Sequence, residues 1–166
     1  MPMDVLSTDL YGQALPFNLE AEQSVLGALL LDPHCIPEVM ELIKPEYFHR
    51  TQHQDLYAVM VRMFTMGEAI DPITVLENVR KEKIFETPDE AKVYLARLAD
   101  VVPSTFQDKV RDYAAIVQEK YYLRSLIAAS RDVMDNAMDP QARASELLDL
   151  AEQRIYDIRQ GRQSSS

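Results

Sequence analysis

Few side chains in this sequence stand at spacings that support chemistry, and each such set also has a plainer structural reading. His49 and His53 are four residues apart with Glu46 and Asp55 nearby, the kind of spacing that could place two imidazoles on one helix face for a divalent metal. The rings would align only if the helix began before His49, and the third ligand that zinc sites take at a fixed spacing is missing. The set reads instead as a helix start with a hydrogen-bonded His53 beneath it. Cys35 beside His34 has the composition of a nucleophile and its base, but adjacent residues point apart on a helix and no helper Asn or Asp is indicated. Glu20 and Glu22 would be an acid/base pair only on a common face; two residues apart, they read as solvated carboxylates at the positive end of a helix dipole. The run Arg80-Lys81-Glu82-Lys83 is basic enough to touch nucleic acid, yet it is flanked by Glu77 and Glu86 and reads as a solvated helix end. Neither Gly-x-x-x-x-Gly-Lys-Ser/Thr nor Gly-x-Gly-x-x-Gly occurs, so nucleotide hydrolysis is not expected of this chain alone. No catalytic, cofactor-binding or metal residue is assigned.

The elements that carry these residues follow from composition and pattern. A chain of 166 residues with 47% hydrophobic content can bury a core as one compact domain or as a smaller domain with an appendage. Its net charge of -10 argues against a sequence-independent grip on phosphates, which needs clustered Lys and Arg. The charge is uneven: residues 16 to 106 hold 15 acids against 8 bases, whereas 107 to 166 hold 10 against 9. One cysteine forms no intramolecular disulfide and suits a reducing compartment. The N-terminus lacks a basic leader region, and Val25 to Leu31 is too short to span a bilayer, so a cytoplasmic location without membrane attachment is expected.

No segment alternates like a strand, and the fold class is read as all-α. Asn18 is placed as the N-cap of a first helix with Val25, Leu26, Leu29 and Leu30 on its apolar face, ended by Asp32-Pro33. A short helix around Pro37 to Ile43 follows, with Val39, Met40 and Ile43 inward. Thr51 to Met66 carries Leu56, Val59, Met60, Met63 and Phe64 at helical spacing, with Gly67 as C′. Asp71-Pro72 restarts a helix with Ile73, Leu76 and Val79 inside, and Thr87-Pro88-Asp89-Glu90 starts another as a capping box ahead of Ala91, Tyr94, Leu95 and Leu98. Val101 to Ser104 reads as a joint.

Residues Thr105 to Arg159 then read as two helices folded back around a break at Asp139-Pro140. On the second, Ala144, Leu147, Leu148, Ala151, Ile155 and Ile158 form one stripe, which a single neighbouring helix would satisfy. On the first, Val110, Val117, Tyr121 and Ala128 share one face, and Ile116, Leu123, Ile127 and Met134 share another turned roughly 120° away. Two apolar faces imply two partners. Tyr113, Tyr121 and Tyr122 on this helix suit either a core or a partly wet interface. The expected organisation is an arm at 1–15, a globular helical bundle at 16–104, a long antiparallel helical hairpin at 105–159, and the start of an interdomain linker at 160–166, with something larger continuing beyond it.

The stretch Pro16-Phe17-Asn18-Leu19-Glu20-Ala21-Glu22-Gln23-Ser24-Val25-Leu26-Gly27-Ala28 resembles the start of the N-terminal domain of the bacterial replicative DNA helicase, the DnaB family. The likeness continues through Pro45-Glu46-Tyr47-Phe48 with His53, Ile70-Asp71-Pro72-Ile73-Thr74, and Tyr94-Leu95-Ala96-Arg97-Leu98-Ala99-Asp100. It runs on through Tyr113-Ala114-Ala115-Ile116-Val117, Glu119-Lys120, Arg124 and Ala151-Glu152. Thr105-Phe106-Gln107-Asp108-Lys109 departs from the small residues and Asn usual in the family before its Tyr-Ala pair, reading as a short insertion that would displace the start of the hairpin.

The resemblance implies a non-catalytic domain whose hairpins pair between subunits, forming a dimer or, in the full ring, a collar built as a trimer of dimers that docks primase during DNA replication. ATP and magnesium would belong to the family's ATP-dependent 5′-3′ helicase motor domain and not to this chain. For self-association the residues implied are Ile116, Leu123, Ile127, Met134, Ala151 and Ile155; for primase contact, Tyr94, Ile127 and Val133. A helical domain gripping DNA directly is the alternative, disfavoured by net charge; a small enzyme using His49, His53 or Cys35 is a further rival.

Overall fold

The computed structural model describes residues 14–101 and 109–161. The described residues form seven α-helices: α1 (Leu19–Leu31), α2 (Ile36–Met40), α3 (Thr51–Thr65), α4 (Pro72–Lys81), α5 (Pro88–Val101), α6 (Val110–Ala137) and α7 (Ala144–Arg159). The joint was expected at Val101 to Ser104; Val101 instead ends α5, and the rest of the joint, the hairpin start at 105–108, most of the arm and the end of the linker lie outside the described residues. The chain divides into two compact units, one of residues 17–119 and one comprising 1–16 with 120–166, so α6 contributes its first turns to one and the remainder to the other.

Local chemistry sets the helix limits in the first unit. The Asn18 side chain accepts from the Ala21 N–H at 2.9 Å and starts α1. Asp32 ends α1 and accepts from the His34 N–H in the 3-10 turn Pro33–Cys35, after which α2 is only five residues long. Gly67, at φ 74°, closes α3: its N–H reaches the Phe64 carbonyl, and the Glu68 N–H reaches that of Met63. This is the paired-bond C-cap in which glycine takes the left-handed conformation. Asp71 accepts from the N–H groups of Ile73 and Thr74, and the Thr74 hydroxyl accepts from the Asp71 N–H, a complete capping box for α4. Thr87 caps α5 through the Glu90 N–H at 3.1 Å.

Helix α1 is the axis of this unit. It packs on α5 and α3, while α4 packs on both of those. From Ala21 to Leu30 only Gln23 escapes full burial, so α1 is covered nearly all round, not on the single face its sequence suggested. Leu56, Val59, Met60 and Met63 of α3, Val79 of α4, and Ala91, Leu95 and Leu98 of α5 are buried in the same unit. Three residues expected inside are instead exposed: Met40, Phe64 and Ile73, the last at 76%. On α4 the inward position belongs to Val75, which with Val79 repeats one helical turn, and Leu76 is half-buried. The start of α6 docks through buried Val110, Ala114 and Val117. There the Gln118 amide donates to the Leu42 carbonyl at 2.8 Å, and Arg111 lies 3.6 Å from Glu41.

In the second unit, Asp139-Pro140 sits in the turn between α6 and α7, where the Ala142 N–H returns to the Asp139 carbonyl at 2.9 Å. Arg154 of α7 pairs with Asp132 of α6.

Candidate interaction site

The stripe on α7 was expected to be satisfied by one neighbouring helix, and it is not. No residue of α7 is buried; Leu148 is 63% exposed and Ile155 is 41% exposed. The reason is angular. At about 100° per residue, Leu147, Ala151 and Ile158 lie on one edge of the stripe and are half-covered, while Leu148 and Ile155 lie on the other and are not. On α6 the buried residue in this unit is Ala129, whereas Ala128, placed by spacing on an apolar face with Val110, Val117 and Tyr121, is exposed. Leu123, Leu126 and Met134 of α6 are also exposed.

These side chains frame an open groove of about 300 Å³, lined on α6 by Ala129, Ser130, Val133 and Met134 and on α7 by Ala151 and Ile155. The structure thus gathers Met134, Ala151 and Ile155 in one place and adds Val133, which the sequence had assigned to a different partner. Ile127 is half-buried and Leu123 exposed on α6; Ile116 and Tyr94 belong to the other unit, both half-buried. Ala129 and Ser130 escaped the sequence reading. Their signal is the small-residue run Ala128-Ala129-Ser130, which opens space between helices where a larger side chain would fill it.

Within the first unit the chemistry-bearing residues have a different use. Glu22, read as solvated, is 2% exposed. Its carboxylate accepts from the backbone N–H of His49 at 2.7 Å and of Arg50 at 3.5 Å, and lies 2.7 Å from Nδ1 of fully buried His53. On the other side of that ring, Nε2 is 2.6 Å from the Tyr94 hydroxyl, which the Gln23 amide also reaches at 3.2 Å. A carboxyl at the start of a helix whose N–H partners come from a distant loop has no signature in local sequence. Glu20 is exposed, as expected. His49 stacks on Phe17 with ring centroids 4.4 Å apart, so the two histidines do not serve a common site. Among the described residues no three of His, Cys, Asp and Glu gather as a metal set.

Cys35 is half-buried beside Asp32, and its thiol is pushed up to about 11, first by burial and then by the hydrogen bond to Asp32 and the negative charges of Asp32 and Glu38. That is the opposite of an activated nucleophile. A second hollow, of about 440 Å³, lies beside α5 with Phe85, Val93, Tyr94 and Arg97 in its wall. No helix among the described residues is long and apolar enough to cross a membrane.

A helical bundle built around one buried helix, together with a helical hairpin that leaves apolar side chains exposed, defines an all-helical domain among the described residues. The chain belongs to the DnaB-like helicase N-terminal domain family, whose model matches residues 14–119. It is 33% identical over 160 residues to the replicative DNA helicase DnaB of Geobacillus stearothermophilus, covering 96% of this chain and 35% of that protein. It is 36% identical over 147 residues to DnaB of Rhodothermus marinus, covering 89% of this chain and 15% of that protein. The chain therefore spans about a third or less of the length of these relatives.

Among solved structures, the N-terminal domain of DnaB helicase from Mycobacterium tuberculosis superposes with a TM-score of 0.77 at 33% identity, covering 86% of this chain and 98% of that one. A DnaB-like replicative helicase, solved to describe its interactions with primase, shares the fold with a TM-score of 0.67 at 24% identity, covering 85% of this chain and 31% of that one.

Proposed function

We propose that this domain is a non-catalytic assembly and docking module of a cytoplasmic replicative helicase. It joins subunits of the ring through its hairpin, as dimers that complete a trimer-of-dimers collar, and it presents a surface to primase. The observation that carries this reading is the uncovered apolar groove of α6 and α7, since a helix with no buried residue is held poorly by its own chain and gains most from a partner. Met134, Ala151 and Ile155, with Leu123, Ile127 and Ile116, are the proposed self-association residues. Tyr94, Ile127 and Val133 are proposed for primase, a partner supported by the shared fold of the helicase described with primase. ATP, magnesium and unwinding of DNA belong, on this reading, to the motor portion of the full-length relatives. Net charge of -10 supports little direct grip on nucleic acid.

The test is the mass of the protein in solution over a range of concentrations, together with a primase pull-down, for the native chain and Ile127→Asp. Association that rises with concentration and is lost in the variant supports the proposal. A native chain that stays monomeric at every concentration and ignores primase refutes it.

A further inference from the structure

We propose that Glu22 and His53 are positioning residues for Tyr94, linked to it by a hydrogen-bond chain that runs in one fixed direction through α1, α3 and α5. The proposed direction takes Glu22 as a carboxylate and His53 as a neutral ring, and donor and acceptor counting then orders the rest. Glu22 faces the N–H groups of His49 and Arg50, so its oxygens act as acceptors, and on this proposal His53 Nδ1, 2.7 Å from Oε1, is the donor. In the neutral ring Nε2 is then an acceptor, and the group 2.6 Å away is the Tyr94 hydroxyl, which donates. The phenolic oxygen accepts in turn from the Gln23 amide at 3.2 Å. Each member has its complement in this arrangement, and no buried side-chain nitrogen or oxygen among the described residues lacks a partner.

Packing reinforces the geometry. The His53 and Tyr94 rings lie 24° from parallel with centroids 5.9 Å apart, Phe48 meets the edge of His53, and Phe85 meets Tyr94 at 5.5 Å. The outer side of Tyr94 forms part of the wall of the hollow beside α5. The chain therefore uses the hydroxyl internally and presents the ring, so that any molecule entering the hollow meets a fixed aromatic wall. This inference does not depend on the docking role proposed above.

Long-range proton–nitrogen NMR on the native protein at neutral pH tests the direction without any substitution. The expected result is a neutral His53 protonated on Nδ1 alone; a ring protonated on Nε2, or on both nitrogens, overturns the proposal. Positioning is tested by contacts between the ring protons of Tyr94 and Phe85 in two variants. His53→Leu should weaken them, whereas His53→Gln, whose amide both donates and accepts, should restore them. Equal contacts in both variants overturn the positioning role. Should His53→Leu fail to fold, Tyr94→Phe keeps the ring and removes the hydroxyl, with its bonds to His53 and Gln23. The Nε2 resonance of His53 must then move, and an unmoved resonance counts against the chain.

Discussion

Met134 of α6 and Ile155 of α7 line the same groove, and neither is fully covered: they are 37% and 41% exposed. On the proposed association, these side chains form half of an interface. Ile155→Asp should therefore weaken self-association by about tenfold or more, since it places a charge in the surface that must dry on pairing. The same change should cost the monomer about 1 kcal/mol, less than a core substitution, because Ile155 is only partly covered there. Sedimentation equilibrium measures the first and urea unfolding at low concentration the second. A large stability loss with association intact would move the interface elsewhere.

Glu22→Ala should cost about 3 kcal/mol. It removes the acceptor for His53 and for two backbone N–H groups in a place water does not reach. Glu20→Ala, two residues away at an exposed position, should have a much smaller effect. Urea midpoints of the two variants compared with the native chain decide whether the carboxylates differ as their burial requires.

Gly67→Ala should cost about 1 kcal/mol and lower the midpoint of thermal unfolding by about 2–4 °C. An added Cβ would meet nothing within 4 Å, so the whole effect comes from φ 74° and none from a clash. Calorimetry of this single variant therefore reads backbone strain at the end of α3 in isolation.

Cys35 should be alkylated slowly near neutral pH, with a rate that climbs until the pH approaches about 11, because the thiolate is the reacting form and burial and Asp32 disfavour it. Asp32→Asn removes one negative charge and should move the profile to lower pH. A stopped-flow iodoacetamide profile from pH 7 upward checks the sign. A half-maximal rate below the ordinary thiol value would show that Asp32 and burial do not act as described.

What was legible from sequence was local. Asn18, Asp71-Pro72, Thr87 and Gly67 mark helix ends because a cap is a bond between residues two to five apart, and the all-helical class follows from the same punctuation with helical spacing between. Family membership was legible for the related reason that motifs around those caps stand in order along the chain. Which apolar residue faces inward was less so: Ile73 and Val75 are equally apolar, and only the positions of α3 and α5 put Val75 inside. The fate of Glu22 was not legible at all. Its partners lie 27 to 31 residues away, and a carboxylate in the first turn looks the same in sequence whether water or a loop satisfies it.

By itself, then, the sequence determined where helices begin and stop, that one hairpin helix carries more apolar surface than one partner can cover, and which family the chain joins. Only the tertiary structure decided that α7 too is left open, that Val133 shares a groove with Met134 and Ile155, and that Tyr94 is tied through His53 to a buried carboxylate. Caps are settled by neighbours along the chain, whereas burial and buried hydrogen bonds are settled by segments that folding brings together.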